Sequence, residues 1–167
     1  MELIRTGRVW KYGSDINTDI ISPPAYMELP IAQAAKYAMS PVDPQFGPGV
    51  QPGDLLVAEH NLGSGSSRET APLTLKELGI GAVIACSYAR IFYRNCINIG
   101  LLALECRQAD RICAGDQLRI DLGKSIICNL SRDESYPIAP IPEHILHLIA
   151  AGGLIPYLER FKLNQQP

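Results

Sequence analysis

The chain has 167 residues, of which 47% are hydrophobic and 19% are charged, values typical of one soluble globular domain with its own buried core. The formal net charge of −2 and the lack of a basic run argue against nucleic-acid binding. No apolar stretch approaches the ~20 residues that a bilayer span needs, and the first residues, MELIR, follow neither a signal-peptide nor a transit-peptide pattern. We therefore expect one cytoplasmic domain over residues 1–167, with no membrane and no nucleic-acid partner.

The first third of the chain combines one strand pattern with turn-forming and loop segments. Residues 7–12 alternate as a half-buried strand does, and residues 31–39 predict a short amphipathic helix. Between them, residues 15–19 (DINTD) are turn formers that bond their own backbone. Their spacing also resembles a calcium-binding loop, but the Gly and the closing Glu of such a loop are missing. Residues 40–52 are rich in Pro and Gly and predict a surface loop.

The central third predicts a strand, a glycine-rich turn and a helix. Residues 54–58 (DLLVA) form a short run that is apolar after its first residue, as a buried strand requires, and residues 72–78 indicate a short helix that ends at Gly79. Between them lies EHNLGSGSSRETA, residues 59–71. Its glycines allow positive φ angles, and Ser66, Ser67 and Arg68 predict capping hydroxyls and a cation in the first turn of the helix. Together these groups indicate an anion site suited to carboxylates.

The glycine-rich turn does not match other familiar motifs. The dinucleotide fingerprint requires a third glycine where Arg68 stands, the Walker motif requires Gly-Lys-Ser/Thr, and the hydrolase elbow requires Gly-x-Ser-x-Gly. A capped helix start that binds no ligand is the alternative interpretation, and the spacing alone leaves it open.

The second half of the chain alternates strands with helices. Residues 81–86 and 101–106 predict buried strands on either side of a helix at 87–100, an order that favours parallel pairing. The other predicted elements are two strands joined at Gly123 (117–122 and 124–130), a helix at 142–149 and a disordered polar tail from 161 to 167.

The helix at 87–100 predicts two distinct faces. We expect Ile91, Phe92 and Cys96 to face the core. Another side carries Arg90, Arg94 and Asn98, and the pattern by itself is typical of a solvated face.

Metal binding by this chain is not indicated. The five cysteines form no Cys-x-x-Cys pair and lie mostly in apolar runs, so we expect buried thiols that act as small hydrophobic residues. His144 and His147 lie three residues apart, but no third ligand is evident. We therefore predict no metal site and no cofactor bound by this chain.

The segment GSGSSRE, residues 63–69, resembles the Gly-x-Gly-Ser-Ser-Arg-Glu signature of the swivel domain of the aconitase superfamily. Two companion segments, NTDII at 17–21 and SYARIFYRN at 87–95, are similar to elements of the same family, as is the C-terminal segment at 150–158. With them, residues 7–159 resemble the small subunits of 3-isopropylmalate dehydratase. The resemblance implies an α/β fold, a three-layer β/β/α swivelling domain of the aconitase type that closes over another subunit.

The same resemblance assigns roles to individual residues. It places the catalytic base at Ser66, with Ser67 and Arg68 binding a substrate carboxylate. The Thr-Asp-x-Ile element places a second catalytic residue at Asp19, which supports the catalytic hydroxyl or the substrate through hydrogen bonds. The residues that shape the turn are Gly63, Ser64 and Gly65.

Related small subunits read the variable group of the substrate with a loop that corresponds here to Tyr26, Met27 and Glu28. In that loop a small apolar residue suits an isopropyl group and an arginine suits an extra carboxylate, and this sequence departs from both. The Glu28 carboxylate argues against an acidic substituent. It is compatible with an isopropyl group only if it turns outward while Met27 or Leu29 lines the pocket.

The superfamily uses a [4Fe–4S] cluster, and cluster ligation needs clustered thiolates, which this chain lacks. The resemblance therefore implies a heteromer in which the large subunit of 3-isopropylmalate dehydratase carries the cluster and a small carboxylate is the substrate. The implied reaction isomerises 2-isopropylmalate and 3-isopropylmalate by dehydration and rehydration in leucine biosynthesis. The alternatives are a sister dehydratase for another small di- or tricarboxylate, and a non-enzymatic carboxylate-binding module.

Overall fold

One mixed sheet of seven strands forms the centre of the fold. The structure is a computed structural model that describes residues 2–165. The strands are β1 (Ile4–Lys11), β2 (Leu55–Ala58), β3 (Ala82–Ala85), β4 (Ala103–Glu105), β5 (Gln117–Asp121), β6 (Ile126–Asn129) and β7 (Glu134–Pro137). Their spatial order is β4-β3-β2-β1-β5-β6-β7.

Strand β1 belongs to both halves of this sheet. Residues 4–8 pair antiparallel with β5, whereas residues 9–11 pair in parallel with β2. Strands β3 and β4 continue the parallel half, and β6 and β7 continue the antiparallel half. The predicted parallel pairing is therefore confirmed, and β1 is the strand at which the sheet changes direction.

Burial differs between the two halves. Every residue of β2 and β3 is buried, as expected for parallel strands covered on both faces, whereas the residues of β5 alternate between buried and exposed. The helices are α1 (Thr18–Ile21), α2 (Ile31–Ala34), α3 (Phe46–Gly49), α4 (Thr70–Glu77), α5 (Arg90–Asn98), α6 (Glu143–Ala151) and α7 (Leu154–Asn164). Across residues 2–165, none of these helices combines the length and the apolar character that crossing a membrane requires. The mixed α/β class predicted from the alternation is confirmed.

Two short helices lie where the sequence predicted turns and loops. Helix α1 forms because Asn17 caps it, accepting a hydrogen bond from the Ile20 N–H at 2.9 Å. Helix α3 lies inside the segment 40–52, and its Phe46 is fully buried with its ring centre 5.5 Å from that of Trp10. The prediction of a surface loop is therefore wrong for the aromatic residue that anchors this segment.

The helix predicted at 87–100 is shorter than expected. Helix α5 begins at Arg90, and its Phe92 and Cys96 are buried, as predicted. Ile91 is 51% exposed, so its predicted place in the core is wrong.

The C-terminal part also departs from the prediction. Helix α7 continues to Asn164, so the predicted disordered tail is wrong for residues 161–164. Gln166 and Pro167 lie outside the described residues. Strand β7, which the sequence did not indicate, pairs with β6 and completes the antiparallel half.

A buried carboxylate, Asp116, ties the turn before β5 to β6. It accepts hydrogen bonds from the Cys113 N–H and the Asn129 side-chain amide, both at 2.9 Å, and pairs with Arg132 at 3.3 Å. Burial by itself raises the pKa of Asp116, but these donors and the guanidinium outweigh burial and hold the pKa below its ordinary value.

Replacing Asp116 by Asn should therefore destabilise the fold by about 1–3 kcal/mol at about pH 7. Because the folded-state pKa is depressed, the stability from the ionised form is present above the unfolded-state pKa and is lost as the pH falls through the folded-state pKa. Urea unfolding should show the difference between the two proteins narrowing below about pH 4. The exposed Asp133→Asn is the control, with a change within about 0.5 kcal/mol. A difference that stays constant at low pH would contradict this role of the Asp116 charge.

Candidate active site

Two loops meet at one edge of the parallel half of the sheet. Strands β1 and β2 are parallel neighbours, so the loops that follow them leave from the same edge. Backbone hydrogen bonds join these loops, among them one from the Gly63 N–H to the Ile16 carbonyl at 2.7 Å and one from the Thr18 N–H to the Ser64 carbonyl at 2.9 Å. The signature loop, residues 63–69, therefore lies directly beside the turn that enters α1.

The two glycines of the signature loop have positive φ angles, as predicted: +84° at Gly63 and +100° at Gly65. A Cβ atom at Gly63 would lie 2.0 Å from the ring of Phe92. A Cβ atom at Gly65 would lie 3.3 Å from Oγ1 of Thr18. Residues without a side chain are therefore needed where this loop passes α5 and α1.

Replacing Gly63 by Ala should destabilise the fold by about 3 kcal/mol or more, because the added methyl overlaps Phe92 in addition to the strain of a positive φ. Gly115→Ala is the matched control, since Gly115 has a φ of +83° and an added Cβ there would meet nothing within 4 Å. Its expected cost is about 1–2 kcal/mol, from backbone strain alone. Urea unfolding measures both values, and equal losses would contradict the close packing of the loop on Phe92.

The hydroxyl of Ser66 lies between two polar side chains. Its Oγ accepts a hydrogen bond from Nε of Arg68 at 2.7 Å and lies 3.2 Å from Oγ1 of Thr18, where either hydroxyl can donate. Ser66 itself is exposed, whereas Thr18 is only 2% exposed. A ligand can therefore reach the Ser66 oxygen from solvent, while Arg68 and Thr18 fix its position through hydrogen bonds.

The guanidinium of Arg68 joins the signature loop to α1. Its Nη2 donates to the carboxylate of Asp19 in an ion pair, and its Nη1 contacts Sδ of Met27. The side chain of Arg68 is 22% exposed and that of Asp19 is 58% exposed. The structure therefore brings together Asp19, Ser66 and Arg68, and the hydrogen bond of Asp19 goes to Arg68 rather than to Ser66.

Helix α4 spans Thr70–Glu77, so it begins two residues before the predicted segment 72–78. Glu69 occupies the N-cap position without a side-chain capping bond. The predictions that Ser66 and Ser67 cap the helix and that Arg68 lies in its first turn are wrong, because all three residues lie in the loop before the N-cap. Among the described residues, no acceptor takes the backbone N–H of Ser66, Ser67 or Arg68, so these donors are available to an anionic ligand.

Helix α5 contacts the signature loop through a residue that the sequence did not indicate. Nδ2 of Asn95 donates to the carbonyl of Ser67 at 3.2 Å. The side chains of Arg90 and Arg94 are exposed and form no hydrogen bond or ion pair with any residue from 2 to 165. Asn95 is the last residue of the SYARIFYRN segment, so the family resemblance included it. From the sequence, the two arginines of that segment were considered and Asn95 was not.

The segment predicted to read the variable group of the substrate reaches Arg68 through one residue. Met27 contacts the guanidinium and is 43% exposed. Tyr26 stacks on Tyr37 with ring centres 3.9 Å apart and planes 5° from parallel, which holds the segment against the 3₁₀ turn Ala35–Tyr37 that follows α2. Glu28 is exposed and forms no hydrogen bond or ion pair within the described part of the chain.

Between residues 2 and 165, the cysteines and histidines do not converge on a metal centre. Three thiols are buried, and burial raises the pKa of each, whereas the other two are half-buried. The buried ones are Cys86, Cys96 and Cys106. In the part of the chain that the structure describes, no three His, Cys, Asp or Glu side chains converge to hold a metal ion. The residues present therefore do not fit an iron–sulfur cluster, which needs converging thiolates.

Comparison with known proteins identifies close relatives over nearly the whole chain. Residues 33–109 match the family described as the Aconitase C-terminal domain. The chain is 50% identical to the 3-isopropylmalate dehydratase small subunit of Nautilia profundicola, over 96% of this chain and 98% of that protein. It is 46% identical to the 3-isopropylmalate dehydratase small subunit 1 of Archaeoglobus fulgidus, over 93% and 98% of the two chains. It is 44% identical to the isopropylmalate/citramalate isomerase small subunit of Methanocaldococcus jannaschii, over 99% and 100%.

A solved structure shares the fold. The crystal structure of a 3-isopropylmalate dehydratase from Methanocaldococcus jannaschii matches with a TM-score of 0.92 and 40% identity, covering 97% of each chain. This likeness confirms the predicted aconitase-type fold. With such identities over nearly the full length of each relative, the chain belongs to the family of 3-isopropylmalate dehydratase small subunits.

Proposed function

We propose that this chain supplies the carboxylate-binding and proton-abstracting half of a two-chain 3-isopropylmalate dehydratase in leucine biosynthesis. The observation that carries the proposal is the hydrogen bond from Nε of Arg68 to the exposed Ser66 hydroxyl, with Asp19 on the same guanidinium. Family membership supports the reaction class, since the relatives are named for this activity.

Ser66 acts as the general base. A serine hydroxyl is a poor base in water, and its alkoxide becomes usable only where cations and oriented donors stabilise the charge. The guanidinium of Arg68, 2.7 Å away, supplies such a donor. The Ser66 oxygen takes the proton from the carbon beside a substrate carboxylate, and the electron pair of the broken C–H bond moves towards that carboxylate.

Arg68 and Ser67 bind the carboxylate that receives this charge. A guanidinium binds a carboxylate through two parallel N–H bonds, and the unpaired backbone N–H groups of the signature loop add donors beside it. In the isolated chain, the carboxylate of Asp19 forms an ion pair with the guanidinium of Arg68. We propose that Asp19 holds the Arg68 side chain in position until a substrate carboxylate accepts hydrogen bonds from the same guanidinium.

The departure of hydroxide from the neighbouring carbon belongs to a partner subunit. The described residues offer no converging metal ligands, so the [4Fe–4S] cluster of the superfamily is expected on the large subunit. Ser66, protonated in the first half of the reaction, then gives its proton to the carbon that lost hydroxide, while hydroxide adds to the carbon that lost the proton, which gives the other isomer. A cytoplasmic location for this complex stays a prediction.

The position of Met27 favours a substrate whose variable group is apolar. Its thioether contacts Arg68, so a group next to the bound carboxylate would meet it. Glu28 is exposed beside it and would repel a further carboxylate. The relative from Methanocaldococcus jannaschii is named for isopropylmalate and for citramalate, which makes a methyl group in place of isopropyl the second candidate.

The test is the rate at which this chain, assembled anaerobically with the large subunit of its organism, dehydrates 2-isopropylmalate, citramalate and homocitrate. Absorbance of the unsaturated intermediate reports each rate. We expect the highest kcat/KM on 2-isopropylmalate, lower turnover of citramalate and none of homocitrate. Preference for homocitrate would overturn the roles of Met27 and Glu28, and turnover of none of the three acids would leave only a carboxylate-binding module.

A further inference from the structure

The hydroxyl of Thr18 has one hydrogen-bond partner among the described residues, the hydroxyl of Ser66 at 3.2 Å. Thr18 is 2% exposed, and a hydroxyl so deeply buried keeps a partner because leaving it unpaired costs free energy. We infer that Thr18 is a positioning residue for the base, and that its hydroxyl donates to Ser66 Oγ when Ser66 is ionised. The inference rests on the proposed function of Ser66.

The backbone of Thr18 is held at both of its polar groups. Its N–H donates to the Ser64 carbonyl at 2.9 Å, and its carbonyl accepts a hydrogen bond from the Ser22 N–H at 2.8 Å. The Asn17 side chain caps the helix at the preceding position. These bonds fix the position of Thr18 Oγ1 relative to the signature loop. A residue that orients another side chain must itself be fixed in this way.

Gly65 keeps this approach open. A Cβ atom at Gly65 would lie 3.3 Å from Oγ1 of Thr18, closer than an ordinary contact, and its φ of +100° disfavours any side chain. Because Gly65 has no side chain, nothing at this position crowds the Thr18 hydroxyl where it contacts the Ser66 hydroxyl.

The protonation state of Ser66 decides the direction of this hydrogen bond. A neutral hydroxyl can donate or accept, whereas an alkoxide only accepts. Once Ser66 is ionised, Thr18 is the donor, and Nε of Arg68 is the second donor on the same oxygen. Two donors aimed at one oxygen stabilise its charged form, so the contact acts on the ionisation of the base and not on substrate binding.

Thr18→Val tests the inference in the assembled two-chain enzyme, because valine keeps the shape of threonine and lacks the hydroxyl. We expect kcat on 2-isopropylmalate to fall about 10- to 100-fold with KM nearly unchanged. The limb of the pH profile of kcat that reports the base should move to higher pH, because the alkoxide has lost one donor. Thr18→Ser, which keeps the hydroxyl, should restore most of the activity.

A second pair of variants separates the hydroxyl from packing. Thr18→Ser and Thr18→Ala lose the same methyl group, and only Thr18→Ser keeps the oxygen, so this pair decides the question if Thr18→Val does not fold. Equal activities for the pair, or a wild-type kcat and pH profile in Thr18→Val, would overturn the inference. Failure of the proposed function is visible separately, since the unmodified complex would then be inactive or indifferent to the loss of Ser66.

Discussion

Replacing Ser66 by Ala should lower kcat of the two-chain enzyme by about a thousandfold or more. The change removes the oxygen that accepts the substrate proton and leaves the backbone donors of the signature loop in place. The Ser66 side chain is exposed and, within residues 2–165, forms hydrogen bonds only with Arg68 and Thr18, so the fold and the assembly with the large subunit should persist. KM should stay close to the wild-type value, because the substrate carboxylate still meets Arg68 and Ser67.

Steady-state kinetics and sedimentation of the complex check this result together. Ser135→Ala is the matched control, since Ser135 is an exposed serine on β7, in the antiparallel half of the sheet. It should leave both kcat and assembly unchanged. A Ser66→Ala complex that retained more than about a tenth of the wild-type kcat would show that Ser66 is not the base.

Arg68→Lys should lower kcat/KM by about a thousandfold, although the net charge does not change. The guanidinium of Arg68 bonds at the same time to Ser66 and to Asp19, and a lysine ammonium is a single point that cannot reproduce this fork. We expect KM to rise, because carboxylate binding weakens, and kcat to fall, because Ser66 loses a charged donor.

The control for Arg68→Lys is Arg119→Lys, at an exposed position on β5, for which we expect wild-type kinetics. Initial rates over a range of 2-isopropylmalate concentrations separate the two parameters. If kcat/KM of Arg68→Lys stayed within a few-fold of wild type, positive charge alone would suffice and the directional role of the guanidinium would be wrong.

The parallel half of the sheet was predictable because its strands are continuous apolar runs. Residues 54–58 and 81–86 contain the fully buried strands β2 and β3, and such runs have few other uses in a chain of this size. Phe46 was missed because Pro and Gly surround it, and local composition cannot show that a single aromatic side chain reaches the core. Asn17 caps α1 through a pattern that also describes an isolated turn, so only the structure distinguishes the two.

The site was predictable in its residues and less so in its contacts. The two glycines have the positive φ angles that the motif predicted, and Ser66, Arg68 and Asp19 lie together. The predicted caps of α4 were wrong because two serines before a helix look like caps, whereas the Ser66 hydroxyl bonds to the side chains of Arg68 and Thr18. One of these partners, Thr18, lies 48 positions away in the chain, a separation that no local pattern can span.

The most direct test of the central claim measures the dehydration of 2-isopropylmalate with this chain alone, with the large subunit alone and with the two chains mixed. We predict no turnover by either chain alone and clear turnover by the mixture, lost again when the mixture contains Ser66→Ala. Turnover by the large subunit alone at the rate of the mixture would contradict the claim that this chain supplies the base. Equal rates for mixtures made with the wild-type chain and with Ser66→Ala would contradict it as well.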